Sequence, residues 1–551
     1  MFQRFSSRIA APLVLLLIGA TLTLPNLGRP SLWDIDEGNN AEAAREMLMS
    51  GNWIVPTFNY QLRPDKPALL YWLQMAGYQL FGINEFSARL PSALAALLTI
   101  LVSYQLGSIM FGPGAGFSAG LVLASTVSFC ASAHFANPDA LLSCFSTLTL
   151  LLFWRSLHHD DRLLFIGAGA STGLAVLAKG PVGLVLPITI MGLFLLWSRR
   201  LRWLLNRKLA WSVASFLLVA APWYAWVAAD TRGDFLRLFI LRHNTGRFLQ
   251  TLEGHAGPPF YYLLVLILGF APWSAFLGLA AWCALRRDAA LETSPDVGNV
   301  RDANRFLCCW IVVYIAFFTA AATKLPNYIL PLYPAMAIAT GRFLESWRRA
   351  AFAPPRWAMA MSLGSLFLIG LGAGVGLMIA GGAIGWPSLK VQRLPGVEAG
   401  VYLMIGPLAG TVVAIVLFCR RQARAVVACV GVTAVLFIGS MAAWGSTLVD
   451  PYKATRELAA AFHAAELPEE TRVASYLYDQ PSLVFYCQRE VQRLPNDEQM
   501  LEFVRYPIPV YLFVPAPTWE SLKPKVRGPH RMLARHYDFY RHCDVLLVTN
   551  R

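Results

Sequence analysis

Long apolar segments dominate the first four-fifths of the chain. A helix of about 20 residues crosses the hydrocarbon core of a bilayer, and roughly thirteen segments reach that length. They lie near 10–26, 88–111, 115–133, 138–157, 163–179, 181–198, 209–228, 260–285, 303–322, 326–345, 357–381, 400–419 and 424–445. A shorter apolar stretch, 68–82, follows a polar loop and predicts an interfacial juxtamembrane helix. The pattern predicts an all-α polytopic membrane domain.

The charged residues give the orientation of this domain. The chain is 56% hydrophobic and 14% charged, with a mean hydropathy of +0.49, which excludes an ordinary soluble domain. Arginines such as Arg155, Arg199, Arg200, Arg348 and Arg349 lie in the loops on the side of the N-terminus, and the opposite loops carry far fewer. Positive loops stay in the cytoplasm, so the N-terminus is predicted inside and the C-terminal tail outside. The net charge of +14 therefore reflects topology and contact with anionic membrane lipids, not nucleic-acid binding.

The composition changes near residue 446. A helix is predicted at 452–465, and short β-like runs occur at 473–477, 483–486, 510–514 and 545–548. Alternating strands and helices indicate a small α/β domain. We expect two domains, a transmembrane domain at 1–445 and a periplasmic α/β domain at 446–551.

Cysteine placement adds a weaker signal. Seven of the nine cysteines fall in apolar segments, and Cys487 and Cys543 fall in the tail. In an oxidising compartment these two either pair or remain free thiols, and the sequence leaves both alternatives open. No zinc-type spacing is present.

The strongest functional signal is the polar loop at 29–66, between the first two strongly apolar segments. It holds Asp36 and Glu37 at one end and Asp65 and Lys66 at the other. The predicted topology places this loop on the outer face, together with turns that carry ionisable or aromatic side chains: His134, Asp139, Lys179, His243, His255, Lys324 and Tyr328. Ionisable groups at membrane depth indicate function by default.

These residues also have structural interpretations. Asp36 and Glu37 suit the first turn of a helix, Asp139 suits a helix cap, and Tyr328 suits an aromatic belt. Taken together, a lysine for a phosphate and carboxylates that orient or deprotonate an attacking group fit a lipid-linked phosphate substrate at the outer face.

The motifs in order resemble one family. The acidic pair, the run Ala43-Ala44-Arg45-Glu46-Met47, the segment Asp65-Lys66-Pro67-Ala68-Leu69-Leu70-Tyr71-Trp72, and the turns at 137–139, 178–181 and 324–331 are similar to those of the bacterial aminoarabinose transferases of lipid A. These belong with the protein O-mannosyltransferase-like, GT-C-type membrane glycosyltransferases.

The resemblance implies a thirteen-span glycosyltransferase of the bacterial inner membrane that acts at the periplasmic face, and we expect it to transfer the sugar by a single displacement with inversion. It implies an undecaprenyl-phosphate-linked sugar donor and lipid A or another glycan as acceptor, with no certain cofactor and a divalent metal as an option. The residues carried over are Asp36 beside the transferred sugar, Asp139 as a second essential carboxylate, Lys66 and Tyr328 on the carrier phosphate, and a metal pair, Asp65 and His255. Among the other polar residues of the predicted outer face, we expect Glu37 to be a further catalytic carboxylate, and Arg63, Lys179 and Lys324 to be further phosphate ligands. The chain has Gly38-Asn39-Asn40 where the family often has an arginine, and Asp65 replaces a glutamate.

Two rival functions differ in what they demand of the sequence. A lipid-carrier flippase or transporter predicts charges within mid-membrane spans and paired broken helices. Here the charges gather at one face, which favours an enzyme. A protein O-mannosyltransferase shares the chemistry and differs in its polypeptide acceptor.

Overall fold

Apolar helices form most of the molecule. A computed structural model describes residues 2–251, 254–286, 300–385, 394–465 and 470–551, with side chains from residue 10 onwards. The helices up to the second bent pair are α1 Phe2–Thr23, α2 Asp36–Ser50, α3 Leu69–Phe81, α4 Glu85–Phe111, α5 Pro113–Ala124, α6 Val127–Ala133, α7 Asp139–Ser156, α8 Arg162–Lys179, α9 Val182–Trp197, α10 Leu209–Asp230, α11 Asp234–Arg237, α12 Arg247–Leu249, α13 Tyr261–Gly269 and α14 Leu277–Leu285. The later helices of the bundle are α15 Val300–Ala320, α16 Tyr333–Arg348, α17 Arg356–Gly381, α18 Ile405–Cys419, α19 Ala423–Ser440 and α20 Ser446–Val449.

Each of the predicted spans contains a helix, but fewer of them satisfy a strict test. Within the described ranges, seven helices are long and apolar enough to cross a membrane, or nine if each bent pair counts as one span. The bent pairs are α5 with α6, at 67°, and α13 with the segment Trp273–Leu285, at 110°. The count of thirteen is therefore higher than length and composition alone support. The remaining segments form helices that are too short, such as Val182–Trp197, or that carry several hydroxyl side chains, such as α7.

Between α1 and α4 the chain forms the predicted polar loop. Asp36 starts α2, whose first turn also holds Glu37, as expected for acidic residues at a helix N-terminus. A short hairpin, β1 Thr57–Phe58 and β2 Gln61–Leu62, leads to α3, the helix predicted at 68–82. Most of α2 is buried although its composition is polar. Such a helix requires partners for its charges, and Arg45 pairs with Glu42 at 2.7 Å.

The tail forms a five-stranded sheet with helices against it. Its strands are β3 Arg472–Tyr476, β4 Gln492–Leu494, β5 Val510–Pro515, β6 Arg531–Asp538 and β7 Cys543–Thr549, in the order β4-β3-β5-β7-β6. The first three are parallel, and the last two are antiparallel additions. The helices are α21 Ala454–His463, α22 Pro481–Cys487, α23 Asp497–Val504 and α24 Ala516–Leu522. The α/β character is as predicted, and the boundary at 445 stays a prediction.

One predicted strand is wrong. Residues 483–486 lie in α22. The run Leu-Val-Phe-Tyr favours a strand, but Pro481 occupies the first turn, where proline is preorganised for a helix. Cys487 and Cys543 are both free thiols, and Cys487 is buried in the core of the tail.

Candidate functional site

Two cavities meet at the end of the bundle where the polar loop lies. The first has a volume of about 470 Å³ and is lined by Asp65, Lys66, Lys179, His243 and Tyr328, with an apolar wall that includes Leu142, Val182, Phe239, Phe248 and Phe317. The second has a volume of about 500 Å³ and is lined by Trp33, Asp34, Asp36, Phe135, Asn137, His255 and Asn327. Arg247 lines both. Six separate pieces of sequence thus converge, as the outer-face assignment predicts.

Lys66 supplies an uncompensated positive charge to the first cavity. Within the described part of the chain, no hydrogen bond or ion pair reaches its ammonium group. Burial lowers the pKa of Lys66 to about 8, Lys179 and Arg247 act in the same direction, and Asp36 and Asp139 oppose them. A half-buried cation without a partner favours binding of an anion.

Asp139 anchors the other side of the cavity. Its carboxylate is buried, is paired with the Lys179 ammonium and accepts a hydrogen bond of 2.7 Å from Asn327 Nδ2. Lys179 also lies 4.9 Å from the centre of the Tyr328 ring. The Tyr328 hydroxyl accepts from Arg247 Nη1 at 3.3 Å. Asp139 therefore fixes the positions of Lys179 and Asn327, and its predicted catalytic role stays a prediction.

Asp65 and His243 form a pair at the cavity wall. His243 Nε2 lies 3.0 Å from Asp65 Oδ1, and Arg63 Nη1 lies 3.4 Å from Asp65 Oδ2. Burial opposes ionisation of Asp65, but Arg63, His243 and Lys66 together lower its pKa. Burial lowers the pKa of His243. At neutral pH the pair is therefore a carboxylate with a neutral imidazole.

Arg63 lies next to the first cavity and holds the residues around it in place. It is buried, its Nε donates to the Tyr71 hydroxyl at 3.2 Å, and its Nη2 donates to Asn40 Oδ1 at 3.3 Å. It does not belong to the described residues that line the first cavity. Its predicted phosphate contact is thus replaced by a contact with Asp65.

The neighbours Asp36 and Glu37 have different environments. Asp36 is exposed on the second cavity, and no hydrogen bond or ion pair of its carboxylate occurs among the described residues. Glu37 is fully buried, and its carboxylate accepts from Arg89 Nε and Nη2 at 2.9 and 2.8 Å. It also accepts from the backbone N–H groups of Ala136 at 2.7 Å and Trp33 at 2.8 Å. Because its lone pairs are occupied, Glu37 holds the loops in place and is not available for proton transfer, contrary to the prediction.

Lys324 lines neither cavity, although Thr323 lines the first and Leu325 lines the second. Its ammonium donates to the carbonyls of Thr319 and Ala321 at 2.8 and 2.9 Å, at the C-terminal end of α15. A cation at a helix C-terminus satisfies carbonyls that lack intrahelical partners. The predicted phosphate contact of Lys324 is therefore a helix cap.

The metal pair is not assembled as predicted. His243 is the histidine that contacts Asp65, whereas His255 lines the second cavity near Asp36. No group of three or more His, Cys, Asp or Glu side chains suited to a metal ion occurs in the described residues. The donor set at Asp65 is one carboxylate and one imidazole, fewer than the three protein ligands of a typical zinc site.

Sequence reasoning assigned no role to four of the residues in this site, although it placed His243 on the outer face. His243 lies between α11 and α12, Arg247 begins α12, and Asn327 and Arg89 bind Asp139 and Glu37 respectively. The basic run Arg242-His243 and Arg247 on the outer face was a usable signal for the first two. The partners of buried carboxylates depend on tertiary contacts across 188 and 52 residues.

The first cavity combines a cationic end with an apolar wall. A lipid phosphate requires both features, since the phosphate needs charged donors and its chain needs apolar surface. The second cavity offers a free carboxylate and aromatic side chains to a second reactant. The arrangement suits transfer of a group between two substrates at a membrane surface.

Sequence comparison points to lipid-phosphate sugar transferases. Residues 65–226 match the family described as dolichyl-phosphate-mannose-protein mannosyltransferase. A protein from Aquifex aeolicus is 32% identical over 57% of this chain and 68% of its own length. The undecaprenyl phosphate-alpha-4-amino-4-deoxy-L-arabinose arabinosyl transferase 2 of Pseudomonas fluorescens is 30% identical over 61% of this chain. The match covers 56% of that enzyme, so the chain spans just over half the length of this curated relative.

Structural comparison covers the whole chain. The crystal structure of ArnT from Cupriavidus metallidurans bound to undecaprenyl phosphate superposes with a TM-score of 0.80. The superposition covers 98% of this chain and 97% of that one at 23% identity. The predicted fold, a GT-C-type helical membrane domain with a small C-terminal sheet, is confirmed.

Proposed function

We propose that the chain belongs to the membrane glycosyltransferases that include the aminoarabinose transferases, and that it moves a sugar from an undecaprenyl-phosphate carrier to an acceptor. The proposed sugar is 4-amino-4-deoxy-L-arabinose, and the proposed acceptor is lipid A or a similar glycan at the periplasmic face. The unpaired Lys66, at the cationic end of a cavity that also has an apolar wall, carries this proposal.

The donor occupies the first cavity in this scheme. Its phosphate meets Lys66, Lys179 and Arg247, with Tyr328 beside them, and its isoprenyl chain lies against Leu142, Val182 and Phe239. The sugar then extends towards Arg247 and the second cavity, where Asp36 is exposed.

The reaction is a single displacement with inversion. An acceptor oxygen attacks the anomeric carbon, the bond from that carbon to the phosphate oxygen breaks, and undecaprenyl phosphate leaves with the electron pair. Lys66, Lys179 and Arg247 stabilise the charge that grows on the phosphate, typically by about 3–4 kcal/mol per donor. If the acceptor is a hydroxyl, Asp36 accepts its proton. If the acceptor is a phosphate of lipid A, which is already anionic, Asp36 orients the attack or stabilises positive character on the sugar.

The placement in the cell follows the charge distribution. We propose the bacterial inner membrane, a cytoplasmic N-terminus and a periplasmic C-terminal domain, with membrane lipids as the surroundings and no nucleic-acid partner. Arg199, Arg200 and Arg348 lie on the proposed cytoplasmic side, which fits the rule that positive loops remain inside.

Purified protein tests this proposal. Incubated with the glycosylated carrier and lipid A, the wild type should release undecaprenyl phosphate and form glycosylated lipid A, measured by mass spectrometry. Asp36→Asn should lower the turnover about 100-fold or more, since it removes a charge at the reacting centre. Asp230→Asn, at the exposed end of α10, is the matched control and should keep full activity.

The same assay separates the rival functions. A flippase moves the intact carrier across the bilayer and releases no undecaprenyl phosphate. A protein O-mannosyltransferase releases it only with a polypeptide acceptor. Full activity of Asp36→Asn would contradict the proposed mechanism, and comparison of lipid A and surface glycans from cells with and without the chain identifies the acceptor.

A further inference from the structure

Residues 33–36 form one wall of the second cavity, between the aromatic ring of Trp33 and the carboxylate of Asp36. Trp33 stacks on Phe135, with ring centroids 6.0 Å apart and an angle of 22° between the rings. Asp36 has no side-chain partner of its own in the described residues. The place of its carboxylate is therefore set by the backbone on either side.

Asp34 fixes that backbone to the C-terminal domain. Its Oδ1 accepts a hydrogen bond of 2.7 Å from the backbone N–H of Ser482, and its Oδ2 accepts one of 2.5 Å from the Ser482 hydroxyl. Ser482 is fully buried in the first turn of α22. A Cβ added at Gly38 would lie 2.3 Å from Ser482 N, so α2 and α22 touch through their backbones.

The tail holds the same segment at further points. The backbone N–H of Asp34 donates to the Tyr540 hydroxyl at 3.0 Å. Lys453 Nζ lies 4.3 Å from the centre of the Trp33 ring and donates to the Ser31 carbonyl at 2.7 Å. Phe539 meets the Trp33 ring edge-on at 6.3 Å. The C-terminal domain thus contacts Ser31, Trp33 and Asp34 through four of its side chains.

We propose that Asp34 is a positioning residue through which the C-terminal domain fixes the positions of Asp36 and the Trp33 ring in the second cavity. This inference rests on the proposed function. In this proposal the C-terminal domain is part of the active site, because Asp36 and Trp33 keep their positions in the second cavity only while Asp34 and Ser482 stay paired.

Because Asp34 can titrate, its positioning role should be visible in the pH profile of transfer. Burial raises the pKa of Asp34 to about 7, and Asp538 acts in the same direction, whereas the Ser482 hydrogen bonds and Lys453 lower it. Tyr540, the other titratable group in contact, is neutral in this range because burial raises its pKa. The carboxylate accepts both Ser482 hydrogen bonds, so loss of the Ser482 hydroxyl should raise the pKa further. The acid side of the pH profile of transfer should then move to higher pH.

Three variants test the proposal. Ser482→Ala removes one hydroxyl, Asp34→Ala removes the whole contact, and Asp34→Asn keeps an acceptor for the Ser482 N–H without a titrating group. We expect turnover to fall about tenfold in Ser482→Ala and more in Asp34→Ala, with partial rescue in Asp34→Asn. Affinity for undecaprenyl phosphate, measured directly, should change less than twofold. Asp497→Asn, whose carboxylate accepts from Tyr476 elsewhere in the domain, is the control.

Hydrogen–deuterium exchange gives a readout that does not need transfer. Uptake over residues 33–38 should rise in Ser482→Ala and Asp34→Ala and stay at the wild-type level in Asp497→Asn. Unchanged exchange together with unchanged turnover in Ser482→Ala would overturn the proposal, as would an equal loss of carrier binding and turnover, which indicates a general defect. If the wild type itself transfers no sugar, the proposed function fails, while the exchange result still decides whether Asp34 positions this segment.

Discussion

At the level of single residues, Lys66 should make binding of undecaprenyl phosphate depend on pH. Its pKa is lowered to about 8, chiefly by burial, so the ammonium is lost as the pH rises through that value. Binding of undecaprenyl phosphate should weaken as the pH rises from about 7 to 9, and Lys66→Met should bind at least tenfold more weakly at pH 7 with little pH dependence. Isothermal titration or fluorescence of a labelled carrier measures this. Lys208→Met, whose partner is Asp160, is the control. A flat pH response of the wild type would contradict the assignment.

The neighbouring residues Asp36 and Glu37 should differ in their effect on stability. Glu37 and Arg89 form a buried ion pair with a 2.8 Å contact, and breaking such a pair costs about 3–5 kcal/mol because the remaining charge is buried. Glu37→Gln should therefore lower the thermal stability in detergent strongly. Asp36→Asn should leave it unchanged, since Asp36 is exposed and unpaired in the described structure. The reverse order of stability would show that the roles of the two residues are exchanged.

Residue types and sidedness predicted much of the site, and contacts at a distance decided the rest. Lys66, Lys179, Tyr328 and Asp36 line the two cavities, so the loops that the sequence assigns to one face do lie together. The sequence does not reveal whether a charged side chain is paired with an opposite charge in the folded protein. Glu37 meets an arginine within α4, and this contact changes its interpretation.

At the level of elements, Lys324 should affect α15 and not the carrier. It donates to two carbonyls at the end of that helix, and a hydrogen bond from a charged group contributes about 1.5–3 kcal/mol. Lys324→Met should destabilise the protein by about 2 kcal/mol and leave the affinity for undecaprenyl phosphate within twofold of the wild type. A loss of affinity as large as that of Lys66→Met would restore the phosphate role.

The close contact between α16 and α5 gives a second prediction at the level of elements. A Cβ at Gly341 of α16 would lie 2.5 Å from the backbone nitrogen of Ala119 in α5. Small residues permit such approach in membrane bundles, and a Cβ this close to a backbone atom requires one of the two helices to shift. Gly341→Leu should lower stability by about 3 kcal/mol or more. Gly372→Leu, where a Cβ has no neighbour within 4 Å, should be tolerated. Detergent melting curves compare the two, and equal stability would contradict the packing argument.

Most elements were predicted at the positions where the structure has them. The spans and strands β3, β5 and β7 lie where their apolar patterns place them. Residues 483–486 show the limit, since a four-residue apolar run suits a buried helix and a buried strand equally. The proline at 481 was the usable signal for a helix.

For the whole molecule, the topology is open to a direct test. Ser521, in α24, is exposed and should face the periplasm, whereas Arg207 is exposed in a loop that should face the cytoplasm. A membrane-impermeant maleimide should label Ser521→Cys in cells with a permeabilised outer membrane, and Arg207→Cys only after lysis. The parent protein controls for its own thiols. Labelling of both positions in unlysed cells would contradict the arrangement.

Arg247 belongs to both cavities, and this has a consequence for inhibition. A bisubstrate compound that joins an isoprenoid phosphonate to an acceptor mimic needs no long tether, because both halves approach the same guanidinium. Tethering converts the second binding event into an intramolecular one, with an effective concentration in the millimolar range for short linkers. Such compounds should exceed the affinity of either half alone, and shortening the tether should improve them until the two halves compete for one side chain.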